Sequence, residues 1–300
     1  PIGAVREITP EYIGTGAKPA DGNWRKSFAE SMVDDPMFAR NFANRLWKEM
    51  FGLALVEPVD SLDPARLDPE NPPPAPWTLQ ATHPELFLKL ASFLRSYDYN
   101  MRGFIRTIAQ STTYQLSSRY GAEFKFEYLP LFARRYPRRL MAEEVHDAVL
   151  KATGVPASYT VQGFSVPLQW AMQLPEPAEP RTNGAVATFL NFFLRGNRDS
   201  QPRSSSLSIL QEMNLMNDSL VLNRVRLTAS PTLQAVSKLG TAAEMVEELS
   251  LLFLSRQPTA DERSKMLAYL EKAGGESERN ALLEDLAWAL INKPEFLFSY

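Results

Sequence analysis

The chain has 300 residues, 44% hydrophobic and 22% charged, with a net charge of -3. That is ordinary globular composition with enough apolar material for one large domain or two smaller ones, and it offers no excess of positive charge for nucleic acid or an anionic membrane. The absence of cysteine excludes disulfides, thiolate metal sites and a cysteine nucleophile within the chain, and no apolar run approaches the roughly 18 residues that would span a bilayer.

Beginning at Pro1 without a leader, the sequence reads as a processed or cloned fragment. Residues 1–23 mix Gly, Pro, Thr and Lys without periodicity and read as a linker or N-terminal arm. A helix is expected over Trp24–Val33. Asp35 then caps a second helix with Pro36 at its first position, where the missing N–H costs nothing. Phe38, Phe42, Leu46 and Met50 recur every four residues, flanked by Ala39, Ala43 and Trp47, and Gly52 is the stop.

Seven prolines between residues 57 and 76 exclude helix and central strand, so 57–83 is an irregular, polyproline-rich loop. Thr82 and Glu85 stand at capping-box spacing before a helix carrying Leu86, Phe87, Leu90, Phe93 and Leu94. A short link, Ser96–Asn100, joins it to a partner over Met101–Thr112. Another helix, Met141–Ala152, ends at Gly154. An irregular insertion follows over about 155–200, in which Tyr159–Val166 reads as a small hairpin. Helices return at Ser205–Asn217, Thr241–Ser255, Thr259–Ala273 and Glu278–Asn292, with capping boxes at Thr241/Glu244 and Thr259/Glu262. The fold class is all-α: a multi-helical domain over 24–300, with a subdivision placed near 155–200.

Five islands, in order and spacing, resemble the DUF1553 domain: Asn44-Arg45-Leu46-Trp47 through Asp60; His83-Pro84-Glu85-Leu86; Ser111 through Ser118; Pro137-Arg138-Arg139-Leu140 through Glu144; and Glu284 through Phe298. The segment Arg198–Asn217 is a less typical form of the family's arginine-then-leucine-rich helix. The resemblance implies a domain of unknown function from large exported proteins of planctomycete-type bacteria. It commonly follows a DUF1549 domain and often accompanies a cytochrome-c-like module. It therefore implies a periplasmic or cell-surface location, and other domains of the parent protein as partners.

Candidate chemistry is sparse. His83 and His146 are the two histidines. Glu143 and His146 at i, i+3 could ligate a metal, but one pair supplies two ligands where zinc needs three or four, so an ordinary polar helix face is the better reading. His83 before Pro84 reads as a capping or bracing residue. Gly163-Phe164-Ser165-Val166-Pro167 lacks the second glycine of a nucleophile elbow, and Ser204-Ser205-Ser206 reads as helix-cap material. The paired carboxylates Asp34-Asp35, Glu143-Glu144, Glu247-Glu248 and Glu284-Asp285 point different ways on their helices and read as solvated faces.

Arginines carry the strongest polar signal. Arg45, Arg102, Arg106, Arg138, Arg139, Arg195, Arg198 and Arg203 sit beside apolar helices or at their ends, where a guanidinium braces carbonyls and carboxylates in fixed geometry. Asp60 is placed to pair with Arg45 or with Arg138-Arg139 and so pin the proline-rich loop. Among Trp47, Trp77, Trp170, Tyr97 and Tyr99, only Trp77 is expected as an exposed platform. The candidate polar or ligand cluster is therefore Arg45, Asp60, Trp77, His83, Arg138, Arg139 and Glu143. The leading expectation is a non-enzymatic interaction or scaffold module binding polysaccharide or a partner domain. The alternative is an enzyme or enzyme subunit acting on complex carbohydrate, with its site between loop 57–83 and Arg138–Glu144. No cofactor is expected. Elemental analysis of the purified chain after dialysis against chelator should find no stoichiometric zinc, copper or iron; metal that survives dialysis would overturn this expectation.

Overall fold

Side-chain caps fix where most helices begin. The computed structural model describes residues 9–19, 22–119, 121, 123–197, 204, 206 and 208–300. Among these it contains twelve α-helices and a two-stranded sheet, an all-α architecture divided into two compact units, Pro1–Arg138 with Tyr300, and Arg139–Ser299. Arg198, Arg203 and Ser205 lie outside the described residues, as do residues 1–8 of the expected arm.

In the first unit, α1 (Trp24–Asp34) is capped by the Asn23 side chain and α2 (Pro36–Phe51) by Asp35, which accepts from the Met37 amide. Gly52 ends α2 with φ 79°, the left-handed conformation that favours glycine. The arm lies against this pair, with the Tyr12 hydroxyl donating to Asp35 at 2.9 Å. Helix α3 (Pro84–Ser96) packs on α2 and is followed by α4 (Met101–Ala109), which ends three residues before the expected Thr112. The expected Thr82/Glu85 capping box does not form. Thr82 instead gives its amide and hydroxyl to the Leu55 carbonyl, so α3 starts one residue later with His83 at the cap position and no side-chain cap bond. The core stripe is as read: Trp47 stacks on Phe51 at 4.2 Å between centroids and meets Phe132 edge-on at 5.3 Å, above a floor that includes Phe87, Leu94 and Phe104.

In the second unit, α5 (Ala142–Thr153) runs through the core with Val145, Val149 and His146 fully buried. It stops at Gly154, which has φ 68° and whose Cβ, if present, would lie 2.4 Å from the Thr232 hydroxyl. Around it stand α6 (Gly184–Phe192), α7 (Ile209–Asn217), α8 (Ser219–Arg224), α9 (Pro231–Ser237), α10 (Ala242–Leu254), α11 (Ala260–Leu270) and α12 (Glu276–Ile291). Both capping boxes at Thr241/Glu244 and Thr259/Glu262 form. The sheet pairs β1 (Arg138–Arg139) with β2 (Phe298–Ser299).

Two expectations need correction. The hairpin over Tyr159–Val166 is a single antiparallel bridge, Tyr159 to Leu168, because the strands never extend beyond that pair. The stretch 155–200 also contains a true helix, α6, hidden in the sequence by flanking prolines and started by the Asn183 side chain. Helices α8 and α9, each shorter than two full turns, escaped periodicity for lack of length.

Trp47 is 4% exposed and its ring packs on two other core rings, Phe51 and Phe132, so Trp47→Ala should cost about 3–5 kcal/mol. Urea unfolding with an unchanged slope and a clearly lower midpoint is the expected result; an unchanged midpoint would contradict this packing.

Candidate functional site

The residues of the Asn44–Asp60 island have distinct jobs. Asn44 is fully buried: its amide donates to the Val56 carbonyl at 2.9 Å and its oxygen accepts from Leu55 and Val56 amides, both at 3.1 Å. Four polar demands of an extended segment are thus met by one side chain and Thr82. Arg45, one turn position outward, forms the expected ion pair with Asp60, with both groups largely exposed. Glu57 accepts from the Ala54 amide and pairs with Lys48 at 3.1 Å. The long loop is tied internally: Gln80 binds the Asp63 amide and Ser61 carbonyl, and Arg66 donates to the Thr78 carbonyl at 2.9 Å. Trp77 is exposed, with the Arg66 guanidinium 5.1 Å from its ring centroid. His83 is half-buried, its ring 5.9 Å from Phe132 and its Nδ1 3.2 Å from the Thr82 hydroxyl. Sequence reading missed Arg135, which is 2% exposed, donates to the Met50 carbonyl at 2.6 Å and lies over the Tyr114 ring. Its place after Phe132-Ala133-Arg134, outside any helical pattern, carries no periodic signal. Arg138 runs past Gly52, its Cγ 3.8 Å from where a Cβ would stand. Arg102 and Arg106 are exposed on α4.

In the second unit, Arg139 donates to the Ser206 carbonyl and to the buried Gln211 amide oxygen, a bracing role shared between backbone and side chain. Glu143 and His146 do not form an ordinary polar face. Glu143 is 3% exposed and His146 fully buried. Arg195 explains the first: its Nε donates to Glu143 at 3.1 Å, and its other nitrogens donate to the carbonyls of Glu176, Pro177 and Glu179. One guanidinium thereby closes the proline-rich turn 176–180 onto α5.

His146 carries a second network. Its Nδ1 lies 2.7 Å from Asp147 and its Nε2 2.7 Å from the Tyr159 hydroxyl. An ionised carboxylate only accepts, so Nδ1 holds the proton and Nε2 accepts from tyrosine. Burial pushes the Tyr159 phenol far above its ordinary value, which keeps it a donor. Asp147 also accepts from the Ala171 and Met172 amides. The Glu284-Asp285 pair is likewise engaged: Glu284 takes Arg226 and the Leu227 amide, and Asp285 takes the Tyr269 hydroxyl.

The densest charge cluster lies at the C-terminal island. Arg256 presents its fork to two carboxylates, with Nη1 and Nη2 2.8 and 2.9 Å from Glu262 and Nη2 2.6 Å from Glu295; Lys293 touches both acids. The Arg256 hydrogen bonds hold the Glu262 and Glu295 carboxyls below the ordinary range, Glu262 the more strongly. Among the described residues, no group of three or more His, Cys, Asp or Glu is placed to hold a metal ion, and no helix is long and apolar enough to cross a membrane.

These are the features of a helical domain braced by arginines through its irregular segments. The chain belongs to the family described as protein of unknown function (DUF1553), whose model matches residues 24–270. The Glu284–Phe298 island lies beyond that match. Searches of curated proteins and of solved structures found no match to the chain.

Because the folded-state carboxyls of Glu262 and Glu295 titrate below their ordinary value of 4.5, the cluster stabilises fully above that value. Its contribution is lost as pH falls through the lowered values. Unfolding free energy should therefore decline from about pH 5 downward, and Glu262→Gln should flatten that decline while lowering stability at neutral pH. Identical acid profiles for the variant and the parent would contradict the cluster's role.

Proposed function

We propose that the chain is an interaction module rather than a catalyst. It would serve as the C-terminal scaffold of a multidomain bacterial protein exported to the periplasm or cell surface, holding polysaccharide or a partner domain. The observation that carries this reading is how the ionisable groups are used. Glu143 is consumed by Arg195, Asp147 and Tyr159 by His146, and Asp60 by Arg45. A general acid or base needs an open approach to substrate and a proton it can exchange. Of these groups, Glu143, His146 and Tyr159 are withdrawn from solvent, and Arg195, the partner of Glu143, holds irregular backbone in place. Trp77, on a loop cross-tied by Gln80 and Arg66, offers a stacking face for a sugar ring.

The test pairs binding with turnover. The purified chain is run through gels containing neutral or acidic polysaccharide, and the same polysaccharides are assayed for new reducing ends. Retardation without release of ends is expected, with Trp77→Ala weakening retardation by sugar. Release of reducing ends that disappears in Asp60→Asn would replace the module with an enzyme.

A further inference from the structure

Helix α7 is built inside out. Its inward side carries Gln211, fully buried, and Leu215, 1% exposed. Its solvent side carries Ile209, Leu210, Met213 and Met216, exposed by 72, 58, 53 and 43%. Positions i, i+1, i+4 and i+7 form one stripe along a helix. An amphipathic surface helix ordinarily turns such a stripe toward its core; here a glutamine held by Arg139 occupies that place.

The helix is fixed at both ends. Ser208 accepts from the Leu210 amide at 3.2 Å, and the Asp218 amide donates to the Asn214 carbonyl at 2.7 Å. The Trp288 indole donates to the Met216 carbonyl at 3.1 Å. Trp288 also forms a wall of an open groove between α11 and α12, about 430 Å³ in volume, whose other walls include Met266, Tyr269, Leu286 and Ala289. One residue thus joins the α7 stripe to an apolar slot with room for a large side chain.

Area and charge narrow the occupant. The four exposed side chains present on the order of 450 Å² of surface, near the upper end for a lone patch on a monomer and short of the roughly 800 Å² per partner of a stable dimer. That extent suits a single helix laid along the stripe with one anchor in the slot. Methionine lets such a surface adapt to its guest. Glu212 is the one charged residue of α7, Asp218 follows it, and Asp285 stands on the groove rim, while the rim's Lys265 is paired with Asp261 at 2.8 Å. Arg139 acts electrostatically on Glu212, so outside the Lys265–Asp261 pair three acids stand against one arginine and the net sign at the edges is negative.

We propose that this face of the second unit seats an amphipathic helix of a partner protein, with an apolar stripe on α7, a large anchor in the α11–α12 groove, and lysine or arginine along its flanks. The proposal rests on the interaction-module reading and names the kind of partner it takes.

The probe is a short synthetic helix of leucine and lysine at helical spacing with one tryptophan anchor, labelled and followed by fluorescence anisotropy. Saturable binding is expected. Met213→Lys with Met216→Lys should weaken it by about tenfold or more, the equivalent of about 1.4 kcal/mol, while the similarly exposed Met172→Lys should leave it unchanged. A leucine–glutamate helix of the same pattern should bind much more weakly. Thermal unfolding of each variant, together with Leu210→Lys as a second route to the same face, separates lost binding from lost fold. The proposal fails if binding never saturates, if the acidic helix binds equally, or if Met172→Lys does the same damage. It also fails if sedimentation shows a dimer that Met213→Lys dissolves, since the occupant would then be a second copy. Failure here with polysaccharide retardation intact would leave the module reading standing; release of reducing ends would remove that reading whatever the peptide does.

Discussion

Buried irregular backbone must find hydrogen-bond partners, and in this chain single side chains supply them. Each unpaired buried amide or carbonyl costs about as much as a lost hydrogen bond, so an extended segment inside a helical domain cannot stand alone. Asn44 answers for Leu55 and Val56 with both ends of its amide. Arg195 answers for the carbonyls of Glu176, Pro177 and Glu179. Asp147 answers for the amides of Ala171 and Met172. Asparagine is used where donors and acceptors must both be met, arginine where only carbonyls are exposed, and aspartate where only amides are.

That division of labour explains the family islands physically. Asn44-Arg45-Leu46-Trp47 places on successive positions a clamp for the following strand-like run, a partner for Asp60, and a core ring. Pro137 through Glu144 leads from a bracing arginine to the buried Glu143 that receives Arg195. Asn292 through Phe298 carries Lys293 and Glu295, whose partners Arg256 and Glu262 sit far earlier in the chain. The islands look like possible site motifs in sequence because they concentrate polar residues. In the structure Asn44, Arg139, Glu143 and Glu295 are turned toward backbone or toward other side chains.

What could be read in advance follows the range of the interaction. Caps and stops act over three or four residues, so Asp35-Pro36, Thr241/Glu244, Thr259/Glu262, Gly52 and Gly154 all behave as their spacing implies. Thr82/Glu85 has the same spacing and fails, because the Leu55 carbonyl, 27 residues away in sequence, competes for Thr82. The Arg45–Asp60 pair was legible because the connecting run is short. Glu143 and His146 were misread as a solvated face because their partners, Arg195 and Tyr159, arrive from the irregular stretch that no periodicity describes. Helix α6 was lost for the same reason, and Arg135 because a lone buried guanidinium leaves no pattern.

The two kinds of surface that result differ in what they can recognise. Where polar side chains are spent on backbone and on one another, as around Glu143 and His146, they are withdrawn from solvent. Where α7 turns Gln211 and Leu215 inward, with Gln211 meeting Arg139, Ile209, Met213 and Met216 face outward. Bracing and display are then two consequences of one arrangement. Arg139, at the start of the second unit, holds a polar residue on the inward side of this helix while several of its apolar residues face outward. On the proposed reading, the recognition surface arises from the same contacts that hold the unit together.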